Sequence, residues 1–173
     1  MAGSNGKQKT VRDMILSLGL IGIAAALIYV FIPHDDSAPD IPRVDYRVEL
    51  LTARRSAAYP VAAPEGLPTA WKATSVRFDG ANSDAWHLGF HAPDGQYVQI
   101  EQSTQKPSEF IDQATQGATA TKNTQRIDGR TWTRYTGGRY HALVLPAKGS
   151  TTVVAGTGSF QQLTEMARAL KTS

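Results

Sequence analysis

Four histidines, a run of arginines and scattered acids carry the reactive chemistry of this 173-residue chain, which contains no cysteine. Disulfides, thiolate nucleophiles and thiolate metal sites are therefore excluded together. His87 and His91 have the spacing nearest to a metal motif. They fall in a stretch that reads as a strand, where positions four apart stand about 13 Å apart on one face, too far to share a zinc ion. His141 approaches His87 only if two halves of the chain stack, and His34 belongs to a membrane interface. No metal and no cofactor is expected.

Nucleophilic catalysis needs an exposed hydroxyl beside a base, and Gly156-Thr157-Gly158-Ser159 is only a superficial match. It lacks the G-x-S-x-G elbow, and Ser159 with Gln162 three positions on makes a capping box instead. Neither a dinucleotide fingerprint nor a P-loop occurs. Glu101, Asp94 and Asp84 are the acids that could converge for glycoside cleavage, but acids beside turns are usually just solvated. No catalytic residue is assigned, and the chain is expected not to be an enzyme.

The more specific feature is cationic. Lys122, Arg126, Arg130, Arg134 and Arg139 follow one another with only Asp128 among them. On a strand, alternation puts Arg130 and Arg134 on the same face as Trp132. Arg126, Arg130, Trp132, Arg134 and Arg139 are thus the candidate surface for an anionic ligand or a partner, such as phosphate-bearing lipid heads or anionic wall polymers. In the plainer reading Trp132 is core and its neighbours are solvated cations. Trp71, Trp86 and Tyr140 read in the same way as core aromatics.

Positioning falls to one small domain behind an anchor. Nineteen uncharged residues run from Met14 to Ile32, enough for a helix of roughly 28 Å to cross a bilayer. Lys7, Lys9 and Arg12 precede it and Asp35, Asp36 and Asp40 follow, so residues 1–13 are expected in the cytoplasm and the rest outside the cell membrane. A cleaved signal peptide is the competing reading, because Ala24 and Ala26 resemble a cleavage site, although Leu27 to Ile32 stays apolar beyond it. From His34 onward fifteen Lys and Arg face fourteen Asp and Glu, so nucleic acid is not an expected partner.

Residues 33–43 read as a proline-rich linker and 44–173 as a domain of about ordinary size. An extended lead-in at Val44 is followed by a helix over Leu50–Ala58 that must stop before Pro60. Strands are expected at Trp71–Phe78, Ala85–Phe90 and Gln96–Gln102, the last two joined in a hairpin by Pro93-Asp94-Gly95. A helix opens at Pro107 with Ser108 as N-cap and ends at Gly117. Strands at Lys122–Ile127, Thr131–Tyr135, His141–Leu145 and Thr151–Ala155 precede a final helix from Ser159, with Phe160, Leu163, Ala167 and Leu170 on one face. Trp86-His87 matches Tyr140-His141, Gly95 matches Gly149 and Ile100 matches Val154 at an offset of 54, which suggests two βββα-like halves. The expected fold is α+β, an antiparallel sheet with helices packed on one face.

The segments Arg12-Asp13-Met14, Tyr29 to Asp35, Pro60 to Pro68 with Trp71, and Trp86 to Phe90 resemble a family of actinobacterial single-pass membrane proteins classified as a domain of unknown function. The resemblance covers nearly the whole chain and implies a plasma-membrane protein with its domain outside, without assigned catalytic residues. From Pro64-Glu65-Gly66-Leu67-Pro68 onward the chain is also similar to extracytoplasmic domains attached to sigma-factor regulators. The resulting expectation is a non-catalytic binding or accessory module of the cell envelope, meeting an envelope protein or an anionic component. A sensory ectodomain is second and an envelope enzyme third.

Overall fold

Apolar side chains at every second position commit the middle of the chain to a sheet. A computed structural model describes residues 5–31 and 42–172, which divide into two units, 1–40 and 41–173. In the first, helix α1 spans Asn5–Phe31, and its Val11–Tyr29 stretch has a mean hydropathy of 2.0. It is long and apolar enough to cross a membrane, as an anchor or a signal sequence near the N-terminus would be. The stretch begins three residues before the expected Met14, because nothing interrupts the helix there; Ser17 Oγ donates to the Asp13 carbonyl within it. Ile32, His34 and nearly all of the expected linker lie outside the described residues.

The second unit opens with α2 (Arg47–Ser56), which starts earlier than its leucines suggested because the Asp45 carboxylate accepts from the Arg47 N–H. Then come strands β1 (Ala63–Pro64), β2 (Lys72–Asp79), β3 (Ala85–His91) and β4 (Tyr97–Ser103) and helix α3 (Pro107–Thr115). Strands β5 (Thr119–Ile127), β6 (Arg130–Thr136), β7 (His141–Ala147) and β8 (Ser150–Gly156) lead to α4 (Phe160–Ala169) and β9 (Leu170–Lys171). Seven strands form one antiparallel sheet in the order β2-β3-β4-β8-β7-β6-β5, and β1 pairs separately with β9. The α+β, antiparallel architecture is as expected. The capping box at Ser159 and Gln162 is present, with both reciprocal bonds made. At α3, Lys106 rather than Ser108 holds the N-cap position, since Pro107, with its fixed φ, takes the first helical position.

The helices do not share one face. Helices α2 and α4 cover a first face, where Ala53, Trp86, Leu88, Ile100, Trp132, Leu143, Val154, Leu163 and Met166 form the main core. Helix α3 covers the second face, where Phe110 and Ala114 meet Ala142, Val144, Val153 and Ala155. The cause lies in β7 and β8, which are apolar on both sides, as strands buried on two faces must be.

The two halves meet where Ile100 pairs with Val154. One pair of positions equated by the sequence repeat therefore meets at the centre of the sheet. The likeness stops there, because β7 pairs with β8 one residue out of the register that relates β3 to β4. A one-residue slip exchanges the faces of a strand, which puts His141 on the first face and His87 on the second.

Gly156 is the tightest point of this centre. A Cβ added there would stand 2.0 Å from the Tyr97 carbonyl oxygen and 2.8 Å from its carbon, both backbone. At Gly89 an added Cβ would meet only side chains, Ser75 Oγ at 2.4 Å and Tyr97 Oη at 2.6 Å. Gly156→Ala is expected to destabilise the domain by about 1–3 kcal/mol or more, and by more than Gly89→Ala, because side-chain tips move and a central strand does not. Urea unfolding of the two variants checks the order.

Candidate functional site

Of the expected cationic residues, β6 carries Arg130 and Arg134, β5 carries Arg126, and Arg139 lies outside both strands. Arg130, Trp132 and Arg134 share the first face, as alternation requires, while Arg126 pairs with Thr131 and faces the other side. Trp132 is fully buried in the core, so no exposed aromatic stands between the two arginines. Its indole N–H has no hydrogen-bond partner among the described residues. Arg139 stands in the turn before β7 with its guanidinium 5.8 Å from the Tyr140 ring centroid. The five residues form no continuous surface.

Two clefts instead flank the buried Trp132. One, of about 500 Å³, has Arg130 beside Thr131, Gln102, Thr152, Leu145 and Pro146. Its Gln102 is held rigid, accepting from the Ala62 N–H at 2.7 Å and donating to Thr152 Oγ1 at 2.9 Å. The other, of about 560 Å³, lies between β6 and α4 and includes Arg134, Gln125, Phe160, Glu165 and Arg168. There Arg134 lies 4.6 Å from the Phe160 ring centroid and donates to Gln125 Oε1 at 2.8 and 3.3 Å. Much of its hydrogen-bonding capacity is spent within the fold.

On the second face a polar row crosses β2, β3 and β4 beside α3. Strand β2 bulges at Thr74, between the pairs Ala73–Phe90 and Ser75–Gly89. A bulge inserts one residue and re-aims the side chains beyond it, so Ala73 points into the core while Ser75 points to the second face. The hairpin sets His87 directly opposite Glu101. Ser75 Oγ lies 2.8 Å from His87 Nε2, and His87 Nδ1 lies 2.7 Å from Glu101 Oε1. Tyr97 leans over Gly89, whose missing side chain leaves the space, and its hydroxyl is hydrogen-bonded to Ser75. His87 and Glu101 keep 22% and 18% of their side-chain surface exposed, so the row is sheltered but reachable.

Proton bookkeeping gives the row a direction. The Glu101 carboxylate only accepts, so His87 Nδ1 carries a proton, and with the imidazole neutral Nε2 accepts from the Ser75 hydroxyl. The sequence reading missed this row, although two signals for it were present. A hairpin closed by Pro93-Asp94-Gly95 places His87 across from Glu101, and the apolar positions of β2 switch parity between Ala73 and Val76.

The remaining candidates separate. Asp84 accepts from the Ala58 N–H and Asp94 from Gln162 Nε2, so neither joins Glu101. Trp71 and Trp86 are core, their indoles donating to Glu165 Oε1 and the Ala62 carbonyl. His91 shares the second face with His87 and packs 6.0 Å from the Tyr97 ring, whereas His141 stacks 5.1 Å from Phe160 on the first face. Among the described residues no group of three His, Asp or Glu is arranged to hold a metal ion.

A family model described as "Protein of unknown function (DUF4245)" matches residues 7–170. The chain belongs to this family. The DUF4245 match takes in nearly all of α1 and of the domain, including Arg130, Arg134 and the polar row. No curated protein matches the chain.

Burial pushes the phenols of Tyr59, Tyr46 and Tyr97 above the ordinary value, with Asp84 and Glu101 adding repulsion at Tyr59. The fold thus favours the protonated phenols. Their stabilisation is complete below the unfolded value of about 10 and is lost as pH rises through the higher folded values. Unfolding free energy is expected to fall above about pH 10. Tyr59→Phe, which also loses the bonds from its hydroxyl to the Asp84 and Gln102 carbonyls, should flatten that decline at a cost of about 1–3 kcal/mol at neutral pH. Phenolate absorbance followed alongside urea unfolding reads both.

Proposed function

We propose that this is a membrane-tethered domain outside the cytoplasm that binds an anionic, amphipathic component of the cell envelope in the cleft at Arg130. The cleft is the observation that carries the reading. It combines one cation, Arg130, and hydrogen-bonding Thr131 and Thr152 with apolar Leu145 and Pro146. A volume of about 500 Å³ falls within the range of small-molecule sites, and this lining suits a ligand with an acidic head and an apolar body. Charge-assisted bonds from Arg130 to a phosphate or carboxylate would fix the head.

The tether supports the location. Lys7, Lys9 and Arg12 in the first turns of α1, against Asp35, Asp36 and Asp40 after it, favour a cytoplasmic N-terminus by the positive-inside rule, and the resemblance to actinobacterial single-pass proteins agrees. A domain held near the outer leaflet meets amphiphiles at high local concentration.

Because the natural chain lacks cysteine, a single introduced thiol reports orientation. A membrane-impermeant maleimide should label Lys148→Cys in intact cells and Ser4→Cys only after permeabilisation; the reverse pattern contradicts the orientation. For the cleft, octyl phosphate titrated onto full-length protein in lipid nanodiscs should bind, and Arg130→Ala should weaken binding about tenfold, the loss expected for one charge-assisted hydrogen bond. Equal affinity of the two proteins would remove the cleft from the account.

A further inference from the structure

The polar row on the second face has the connectivity of a charged-relay nucleophile: hydroxyl to imidazole Nε2, imidazole Nδ1 to carboxylate. Both hydrogen bonds, at 2.8 and 2.7 Å, lie within the reach that nucleophile, base and orienting acid require. We infer that Ser75 is an activated nucleophile, with His87 as its general base and Glu101 as the residue that positions His87, and that the site cleaves carboxylic esters. This goes beyond the binding role of the Arg130 cleft, lies on the opposite face of the sheet, and departs from the expectation of a non-catalytic module.

Three features of the fold converge on Ser75 and its histidine. The bulge at Thr74 turns its side chain out of the core and onto the histidine's face, a use to which bulges beside active sites are put. Gly89, directly opposite, leaves the space through which Ser75 and Tyr97 meet. The hairpin register then sets Glu101 behind the imidazole, fixing the tautomer whose Nε2 accepts the serine proton. An ordinary solvated serine on an edge strand needs none of these.

The chemistry closes with water as the only co-reactant. Ser75 Oγ forms a bond to the acyl carbon as its proton passes to His87 Nε2. Collapse of the tetrahedral adduct breaks the bond to the alcohol, which leaves with that proton. Water then attacks the acyl-serine, giving its proton to Nε2, and the carboxylic acid departs as Ser75 regains its hydrogen. The Tyr97 hydroxyl, which meets Ser75 over Gly89, supplies a donor for the oxyanion that develops. His91, Tyr97 and Tyr140 form an aromatic shelf beside it, with ring centroids 6.0 and 6.2 Å from Tyr97, suited to an apolar acyl group.

The test is active-site labelling of the full-length protein in detergent with a fluorophosphonate, which loses fluoride as a serine Oγ–P bond forms. The wild type should gain a single adduct, placed on Ser75 by peptide mass spectrometry, and Ser75→Ala should gain none. His87→Gln should slow labelling by about 10²-fold, the share a general base commonly supplies. Glu101→Gln should slow it as well and Glu101→Asp should restore part of the rate, which a merely structural acid would not do. Melting temperatures identify any variant that fails to fold, and His87→Asn replaces His87→Gln if that one does. An unlabelled wild type, an adduct that Ser75→Ala leaves in place, or equal rates in wild type and folded His87 variants would each overturn the proposal.

Discussion

The pairing of β4 with β8 is the constraint on which the rest of this domain depends. Those strands end the two halves of the chain, Ser103 opposite Thr151 and Val98 opposite Gly156, and every other strand of the large sheet is reached through them. Their closeness at Gly156 leaves no room for a side chain. Because β8 contributes apolar residues to both faces, Val154 beside Ile100 to one and Val153 and Ala155 to the other, the sheet must be covered twice. The sequence supplies helices on both sides, α2 and α4 on the first face and α3 on the second.

That two-sidedness separates the chemistry. On the first face the strand that was expected to offer a cationic surface gives its tryptophan to the core and leaves Arg130 and Arg134 in different clefts. On the second face α3 covers only the middle of the sheet, and β2, β3 and β4 present Ser75, His87 and Glu101 beside it. The edge strand β2 is itself protected, since Glu49 of α2 accepts from the Phe78 N–H and Val44 donates to the Ala73 carbonyl. The bulge that aims Ser75 is therefore held from both sides.

Much of the fold was legible because its signals are local. Pro93-Asp94-Gly95 defines a hairpin, Ser159 with Gln162 defines a helix start, and alternation assigns Arg130, Trp132 and Arg134 to one face. The face taken by α3 was not legible, because Ala142 and Ala155 are small and their strands read as a single apolar run. The β1–β9 pair was missed for a related reason: two-residue strands carry no period, and Leu170 fits the α4 pattern as well as it fits a strand. The polar row lay between these extremes. Glu101 follows from the hairpin and the turning of Ser75 from the parity switch in β2, but the closure of Tyr97 over Gly89 joins residues whose relation only the folded sheet supplies.

If the central pair organises the molecule in this way, its backbone is the last to open. Native-state hydrogen exchange on the full-length protein reads this directly, residue by residue. Amides of β4 and β8 should exchange only through global unfolding, while those of the edge strands β2 and β5 open at lower free energy. Exchange of β4 and β8 as fast as the edges would contradict the pairing, and with it the placement of both the Arg130 cleft and the Ser75 row.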